Sequence, residues 1–282
     1  MVKNFMAGPV VKASEVPVTI LMPIHPKDLW IAGHSIDSLR KNLLHPIEEI
    51  LIVSKKDPEI QDWCAAEDLK WIDESQIFDW TVERIGKALP DWARSRDGWL
   101  FQQLLKFSVN KFSTADSFLI VDADTLLLKK KTFHLDGKVR LDYSHERNLL
   151  YLQTYKELLG QKPSSWVSFV THHVFMEKKV LQELKSEIEK YTGKPWEQAI
   201  IEMASSDIWS DAQKKVSPFN YFSEYETYGN FCKSYYEEVK SNYFWNYASK
   251  DFDPDVLSIE EYVAKLPSIY SWVSFHSYNR RG

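Results

Sequence analysis

The chain has 282 residues, of which 44% are hydrophobic, 14% aromatic and 27% charged, with a net charge of -5. That length holds one large α/β domain with helical additions, and the acidic balance argues against general binding of nucleic acid or anionic membranes. Two cysteines, Cys64 and Cys232, are too few for a disulfide framework and fit a reducing cytoplasm. No stretch approaches the roughly 20 apolar residues of a membrane span. The early apolar run at 16–24 is broken by Pro17 and Pro23, unlike a signal peptide.

In chain order, residues 1–15 show no periodicity, and VTILM at 18–22 reads as a strand stopped by Pro23 and Pro26. His25, Lys27 and Asp28 follow at its carboxyl end. Ile36, Leu39, Leu43 and Leu44 predict a helix over 32–44, and EILIVS at 49–54 predicts a second strand. A short helix over 57–68 and a short strand at 69–72 come next, the latter ending at Asp73 and Glu74. Strand, helix, strand, helix, strand is the pattern of a parallel sheet with right-handed crossovers, so these strand ends should open to one edge. Residues 75–97 look irregular or weakly helical. GWLFQQLLKFSVNKF at 98–112 predicts one helix with a broad apolar face and with Gln102, Gln103 and Lys106 clustered on a polar flank.

The run at 117–128, SFLIVDADTLLL, organises the rest. Residues 118–121 read as a strand buried on both faces, ending abruptly in Asp122-Ala123-Asp124, where open α/β sheets place their ligands. Two carboxylates there resist burial unpaired, and a hard divalent cation, Mn²⁺ or Mg²⁺, bridging them to phosphate oxygens would resolve the conflict. A solvated loop is the competing reading of DAD alone. Lys129, Lys130 and Lys131 read as a solvated turn, 139–142 as a strand and 149–159 as a helix. WVSFV at 166–170 reads as a strand ending at Thr171, His172 and His173. An amphipathic helix over 178–192 closes at Gly193, a C-cap, and another covers 196–204. NYFSEYETYGN at 220–230 reads as a strand or loop, with helix from Cys232. A short helix at 258–266 and a strand at 270–275, ending at His276, complete the chain.

This order of parts resembles that of GT-A glycosyltransferases: an α/β start, a strand ending in Asp-x-Asp, an acidic segment two-thirds along and a late histidine. Locally, GWLFQQLLKF before FLIVDADT, then THHVFM and SEYETYG, is similar to bacterial polysaccharide-assembly glycosyltransferases. The resemblance implies a Rossmann-like GT-A domain, mostly parallel with helices on both faces, whose residues 18–130 bind a nucleotide-sugar donor and whose residues 131–282 bind a glycan or lipid-linked saccharide acceptor. It implies Asp122, Asp124 and His276 as metal ligands, with Asp122 also near ribose. Pro23, His25, Asp28, Ser54 and Asp73 would lie by base and ribose, with Gln102 and Gln103 on the donor side and Lys106 reaching a phosphate as a point charge. Glu224, or Glu226 two residues on, would be the general base; the two would share a face if the segment is extended. Thr171, His172, His173 and Tyr225 would lie near donor sugar or acceptor, one of the two histidines being structural. The chain lacks a glycine-rich segment before the base, and its late histidine is not followed by the Gly and Lys of some retaining relatives, so the stereochemical outcome is open.

The expected reaction is transfer of a sugar to an acceptor hydroxyl in polysaccharide synthesis, in the cytoplasm or at the inner face of the membrane, with peripheral membrane association if the acceptor is lipid-linked. Two other readings compete. DADT also fits the nucleophile motif of haloacid-dehalogenase-like phosphatases, with Asp207 and Asp211 as a later metal motif. A catalytically silent nucleotide-sugar-binding module is the other.

Overall fold

Apolar-rich segments dictate the centre of the structure. In the computed structural model, which describes residues 11–215 and 221–276, β1 (Val18–Pro23), β2 (Ile47–Ser54), β3 (Lys70–Asp73) and β4 (Ser117–Val121) lie parallel. Every residue of β1 and β4 is buried, which stabilises the sheet by roughly 1.5–3 kcal/mol for each large aliphatic side chain taken from water. The strand order is β3-β2-β1-β4-β8, and only β8 (His173–Glu177) runs antiparallel, pairing Val121 with His173. The architecture is thus mixed α/β around a mostly parallel sheet. One hydrophobic core runs from Val18 to Trp272 and crosses the expected boundary at residue 130.

The crossover helices start where local chemistry starts them. Leu29–Asn42 forms α1, and Pro58–Ala66 forms α2, whose Asp57 cap accepts from the amides of Glu59 and Ile60. The segment expected to be irregular contains α3 (Val82–Ala88), capped by Thr81. The helix expected over 98–112 is broken at Ser108 into α4 (Asp97–Phe107) and α5 (Val109–Phe112).

Beyond β4 the chain makes a tight turn, Thr125 N donating to Asp122 O, and enters β5 (Thr125–Leu127). β6 (His134–Leu135) and β7 (Lys138–Tyr143) precede α6 (Leu149–Leu159). After β8 come α7 (Lys178–Thr192), closed by Gly193 at φ 69°, α8 (Trp196–Glu202) and α9 (Asp211–Lys214). α10 (Glu224–Tyr235), β9 (Lys240–Tyr243), β10 (Asn246–Ala248), α11 (Ile259–Lys265) and β11 (Trp272–Ser274) finish the described chain. β5 pairs antiparallel with β11, with β10 on β11's other side, and β7 lies between β6 and β9.

Three expectations are corrected. Residues 166–170 form no strand; a single bridge joins Ser168 to Ser144, and the strand begins only at His173, so the two histidines open a strand rather than end one. SEYETYGN is neither strand nor loop but the first two turns of α10, capped by Ser223, whose hydroxyl accepts from Glu226 N. Lys131 does not face solvent: its ammonium lies 2.7 Å from the buried Asp142 carboxylate. Residues 277–279, which the resemblance included, and Asn220 lie outside the described residues.

Candidate active site

A cleft of about 950 Å³ opens at the carboxyl ends of β1, β2 and β4, the edge where parallel sheets collect ligands. It is lined by Pro23, His25, Asp28, Gln102, Gln103, Lys106, Asp122, Asp124, His172, Glu224, Tyr225 and His276, so most of the predicted site residues share one space.

Sheet pairing explains how residues distant in sequence meet there. β11 lies antiparallel to β5, with Ser274 opposite Thr125, and Phe275 N donates to Asp124 O at 2.8 Å. The next residue is His276, whose Nδ1 stands 3.0 Å from Asp124 Oδ2. On the other side β8 runs antiparallel to β4, and Asp122 N donates to His172 O at 2.9 Å. His172 Nδ1 then faces Asp122 Oδ2 at 3.4 Å, and the His172 and His276 rings meet edge-on with centroids 4.6 Å apart.

Beneath this lies a buried ionic cluster. Lys106, on α4 and only 1% exposed, donates to Asp122 Oδ1 at 2.6 Å, to Glu224 Oε1 at 2.7 Å and to the Tyr225 hydroxyl at 2.9 Å. Tyr225 in turn donates to Asp122 Oδ1 at 2.7 Å. The Gln103 amide rests against Glu224, its Oε1 accepting from Glu224 N at 3.4 Å. Burial works against charge on Lys106, but Asp122 and Glu224 override it and hold the ammonium up at about 12. Burial likewise opposes charge on Asp122, yet Lys106 and His172 hold that carboxyl well below the usual range. Glu224 has no exposure at all; its burial, with Asp122 nearby, outweighs Lys106 and pushes its pKa up. The Tyr225 phenol is pushed far above its ordinary value by burial and the two carboxylates, so it stays a donor. Lys106 is therefore committed to the cluster, and the expectation that it reaches a phosphate is corrected.

Five predicted residues stand elsewhere. The Ser54 hydroxyl is buried between Lys55 O and the Trp71 indole. Asp73 caps a short turn through Ser75. The Thr171 hydroxyl donates to the carbonyl of His173 at 2.8 Å. His173 is the structural histidine of the pair: it is buried, 3.0 Å from Asp142 and stacked on Trp272 with centroids 3.9 Å apart. Glu226 does not share a face with Glu224, because in a helix residues two apart point in different directions. Its Oε2 accepts from Ser168 Oγ at 2.6 Å and Phe169 N at 3.1 Å, and its Oε1 accepts from Asn230 at 2.8 Å.

Sequence reasoning missed cleft-lining groups. Lys27, Lys55 and Arg96 bring positive charge, and Glu74, Glu146, Trp99 and Tyr151 complete the walls. Lys27 and Glu74 stand at strand ends the sequence had marked without giving them a role, and Lys55 follows another; Arg96, at the start of α4, and Glu146 carry no such signal.

Two carboxylates and an imidazole are the donor chemistry that suits a first-row divalent cation. Among the described residues no three His, Cys, Asp or Glu side chains stand as a ready-made metal cage. Asp124 and His276 hydrogen-bond each other, and Asp122 keeps Oδ2 toward the cleft while Oδ1 is held by Lys106 and Tyr225. Asp207 and Asp211 do not line this cleft, so the acid pair of the phosphatase reading is not assembled.

The site is thus an acidic, histidine-edged cleft on a mostly parallel α/β sheet. Residues 37–278 match a family of unknown function, DUF6492, and the chain belongs to that family. No curated protein matches it in sequence. Among solved structures it is similar to mouse xyloside xylosyltransferase 1, at 11% identity and a TM-score of 0.47, over 95% of this chain and 100% of that one. It is also similar to the galactosyltransferase LgtC, solved with donor and acceptor sugar analogues, at 12% identity and 0.48, over 92% and 87% of the two chains. A third is the glycosyltransferase GlyE of Streptococcus pneumoniae TIGR4, at 11% identity and 0.42, over 93% of this chain and 55% of that one. No helix among the described residues is long and apolar enough to cross a membrane.

Proposed function

We propose that this chain is a metal-dependent glycosyltransferase that moves a sugar from a nucleotide-sugar donor to a hydroxyl of a glycan or lipid-linked acceptor. The observation that carries the reading is that Asp122, Asp124 and His276 all line a nucleotide-sized cleft on the carboxyl edge of the sheet, with His276 against Asp124. Asp122 through Oδ2, Asp124 and His276 would hold Mn²⁺ or Mg²⁺. The cation, when bound, supplies Lewis-acid stabilisation of the charge that develops on the departing diphosphate.

The protein's own groups divide the remaining tasks. Pro23, His25 and Asp28, after β1, border the space for base and ribose, and Lys27, Lys55 and Arg96 offer positive charge to the phosphates. Glu224, raised in pKa and lining the cleft, is the general base in this reading, with Lys106 fixing its carboxylate and Gln103 accepting from its backbone amide. Water exclusion by the aromatic walls, Trp99, Tyr151 and Tyr225, strengthens each of these interactions.

A thermal-shift screen of nucleotide sugars with Mn²⁺ tests the reading. A true donor at about 100 times its Kd adds about 2.7 kcal/mol of stability by mass action, and Asp124→Asn should erase the shift. If no nucleotide sugar raises the melting temperature with either cation, the assignment fails.

A further inference from the structure

We infer that His172 is a direct ligand of the cation proposed for this cleft, a second imidazole beside His276 facing the carboxylates of Asp122 and Asp124. This rests on the metal-dependent reading above and extends it to a four-residue donor set of two oxygens and two nitrogens.

Three observations carry the inference. First, His172 holds a backbone φ of 55°, in the left-handed region that non-glycine residues enter rarely and under strain. Second, that conformation separates the two neighbouring histidines: the His173 ring goes inward to Asp142 and Trp272, while the His172 ring goes to the cleft. Third, the ring arrives beside the other donors. Its Nδ1 is 3.4 Å from Asp122 Oδ2, and its centroid is 4.6 Å from that of His276, whose Nδ1 is 3.0 Å from Asp124 Oδ2. Asp122, His172, His276 and Asp124 therefore form a continuous arc of contacts that a cation would replace with bonds to itself.

The donor set sets the preference. Imidazole nitrogen suits Mn²⁺ and its first-row neighbours, whereas Mg²⁺ favours an all-oxygen shell. The chain should accordingly select Mn²⁺ over Mg²⁺, and His172 should account for much of that selection.

The test uses the full chain, Mn²⁺ alone and pulsed electron paramagnetic resonance, which counts nitrogens bonded to the ion without requiring turnover. His172→Asn is the variant of choice because asparagine tolerates the left-handed backbone; a melting curve close to wild type shows that the fold is kept. Expected are two coordinated imidazoles in wild type and one in the variant, with Mn²⁺ affinity lower by tenfold or more and the Mn²⁺ over Mg²⁺ preference narrowed. One imidazole in both proteins, with Mn²⁺ binding unchanged, overturns the role of His172 and leaves the metal-dependent reading standing. A free-ion spectrum in wild type, undiminished by protein, overturns both. Should His172→Asn melt far below wild type, His172→Gln gives the same count against the same outcomes.

Discussion

The Lys106 ammonium lies 2.7 Å from the Glu224 carboxylate and 2.6 Å from that of Asp122, so one buried cation serves two anions. Truncating the shared cation leaves the fully buried Glu224 carboxylate and the partly buried Asp122 carboxylate without it. Lys106→Met should therefore destabilise the chain by about 3–5 kcal/mol, the usual consequence of breaking a buried pair from one side. Adding Glu224→Gln to that variant should restore part of the loss, because an anion is removed with its counter-ion. Urea denaturation of the two single variants and the double variant checks this; strictly additive effects would show that the contacts carry no coupling.

Glu224 and Glu226 look alike in sequence and should respond differently. Glu224→Gln keeps the side chain's shape and removes a carboxylate whose pKa burial already raises, and Lys106 keeps Asp122 and Tyr225, so stability should fall less than in Lys106→Met while sugar transfer is lost. Glu226→Gln must turn an NH2 toward donors that now meet an oxygen: Ser168 Oγ and Phe169 N on one side, Asn230 Nδ2 on the other. The expected cost is about 1–3 kcal/mol for a buried donor left unmatched. Denaturant midpoints, read beside donor turnover with Mn²⁺, separate the two roles. Loss of transfer in Glu226→Gln with full stability would contradict the assignment.

The same pair shows what the sequence made legible. VTILM, EILIVS and SFLIV are mostly apolar and long enough for one strand each, so the parallel sheet and the position of Asp122 and Asp124 at its edge followed from composition. α10 did not, because Glu224–Cys232 is buried on every side and shows no polar face to mark a period: Tyr225, Tyr228, Phe231 and Cys232 join the core, while Glu224, Glu226 and Asn230 are buried by pairing with other segments. A helical period is invisible when the partners that make burial affordable lie 58 and 118 residues away. WVSFV misled for a related reason: Trp166 is 86% exposed, and Glu226 rather than a strand ladder holds Ser168 and Phe169. The contact of His276 with Asp124 rests on the β5–β11 pairing, which no local pattern encodes.

Gly229 should be intolerant of a methyl group. A Cβ there would come within 2.2 Å of the buried Phe169 ring, in the segment that Glu226 anchors. Helix propensity favours alanine over glycine by about 1 kcal/mol, yet overpacking of this kind costs about 1–3 kcal/mol. Gly229→Ala should therefore be destabilising on balance in wild type, and a Phe169→Ala background should relieve only part of that cost, because the Cβ of residue 169 would itself stand 2.5 Å away. Thermal melts of the four proteins give the sign in each background.

Lys185 offers a test by pH. It is buried on α7, donating to Asn110 Oδ1 at 2.6 Å, with its ammonium 4.7 Å from the Trp196 ring. Burial, reinforced by Lys111, pushes its pKa down to about 7 from an ordinary value of 10.5. Between those values the unfolded chain holds a proton that the folded chain releases, so this group makes stability climb as pH rises from about 7 toward 10.5. Below pH 7 both states are charged and the full cost of burying the ammonium is felt. Lys185→Met keeps an apolar stem against Trp196 and removes the titration. The variant should accordingly be more stable than wild type by a few kcal/mol near pH 7, since each tenfold loss of proton affinity on folding costs about 1.4 kcal/mol, and the gain should shrink steadily toward pH 10. Denaturation of both proteins across that range measures the difference directly, and a gain independent of pH would mean that Lys185 stays charged in the folded chain throughout.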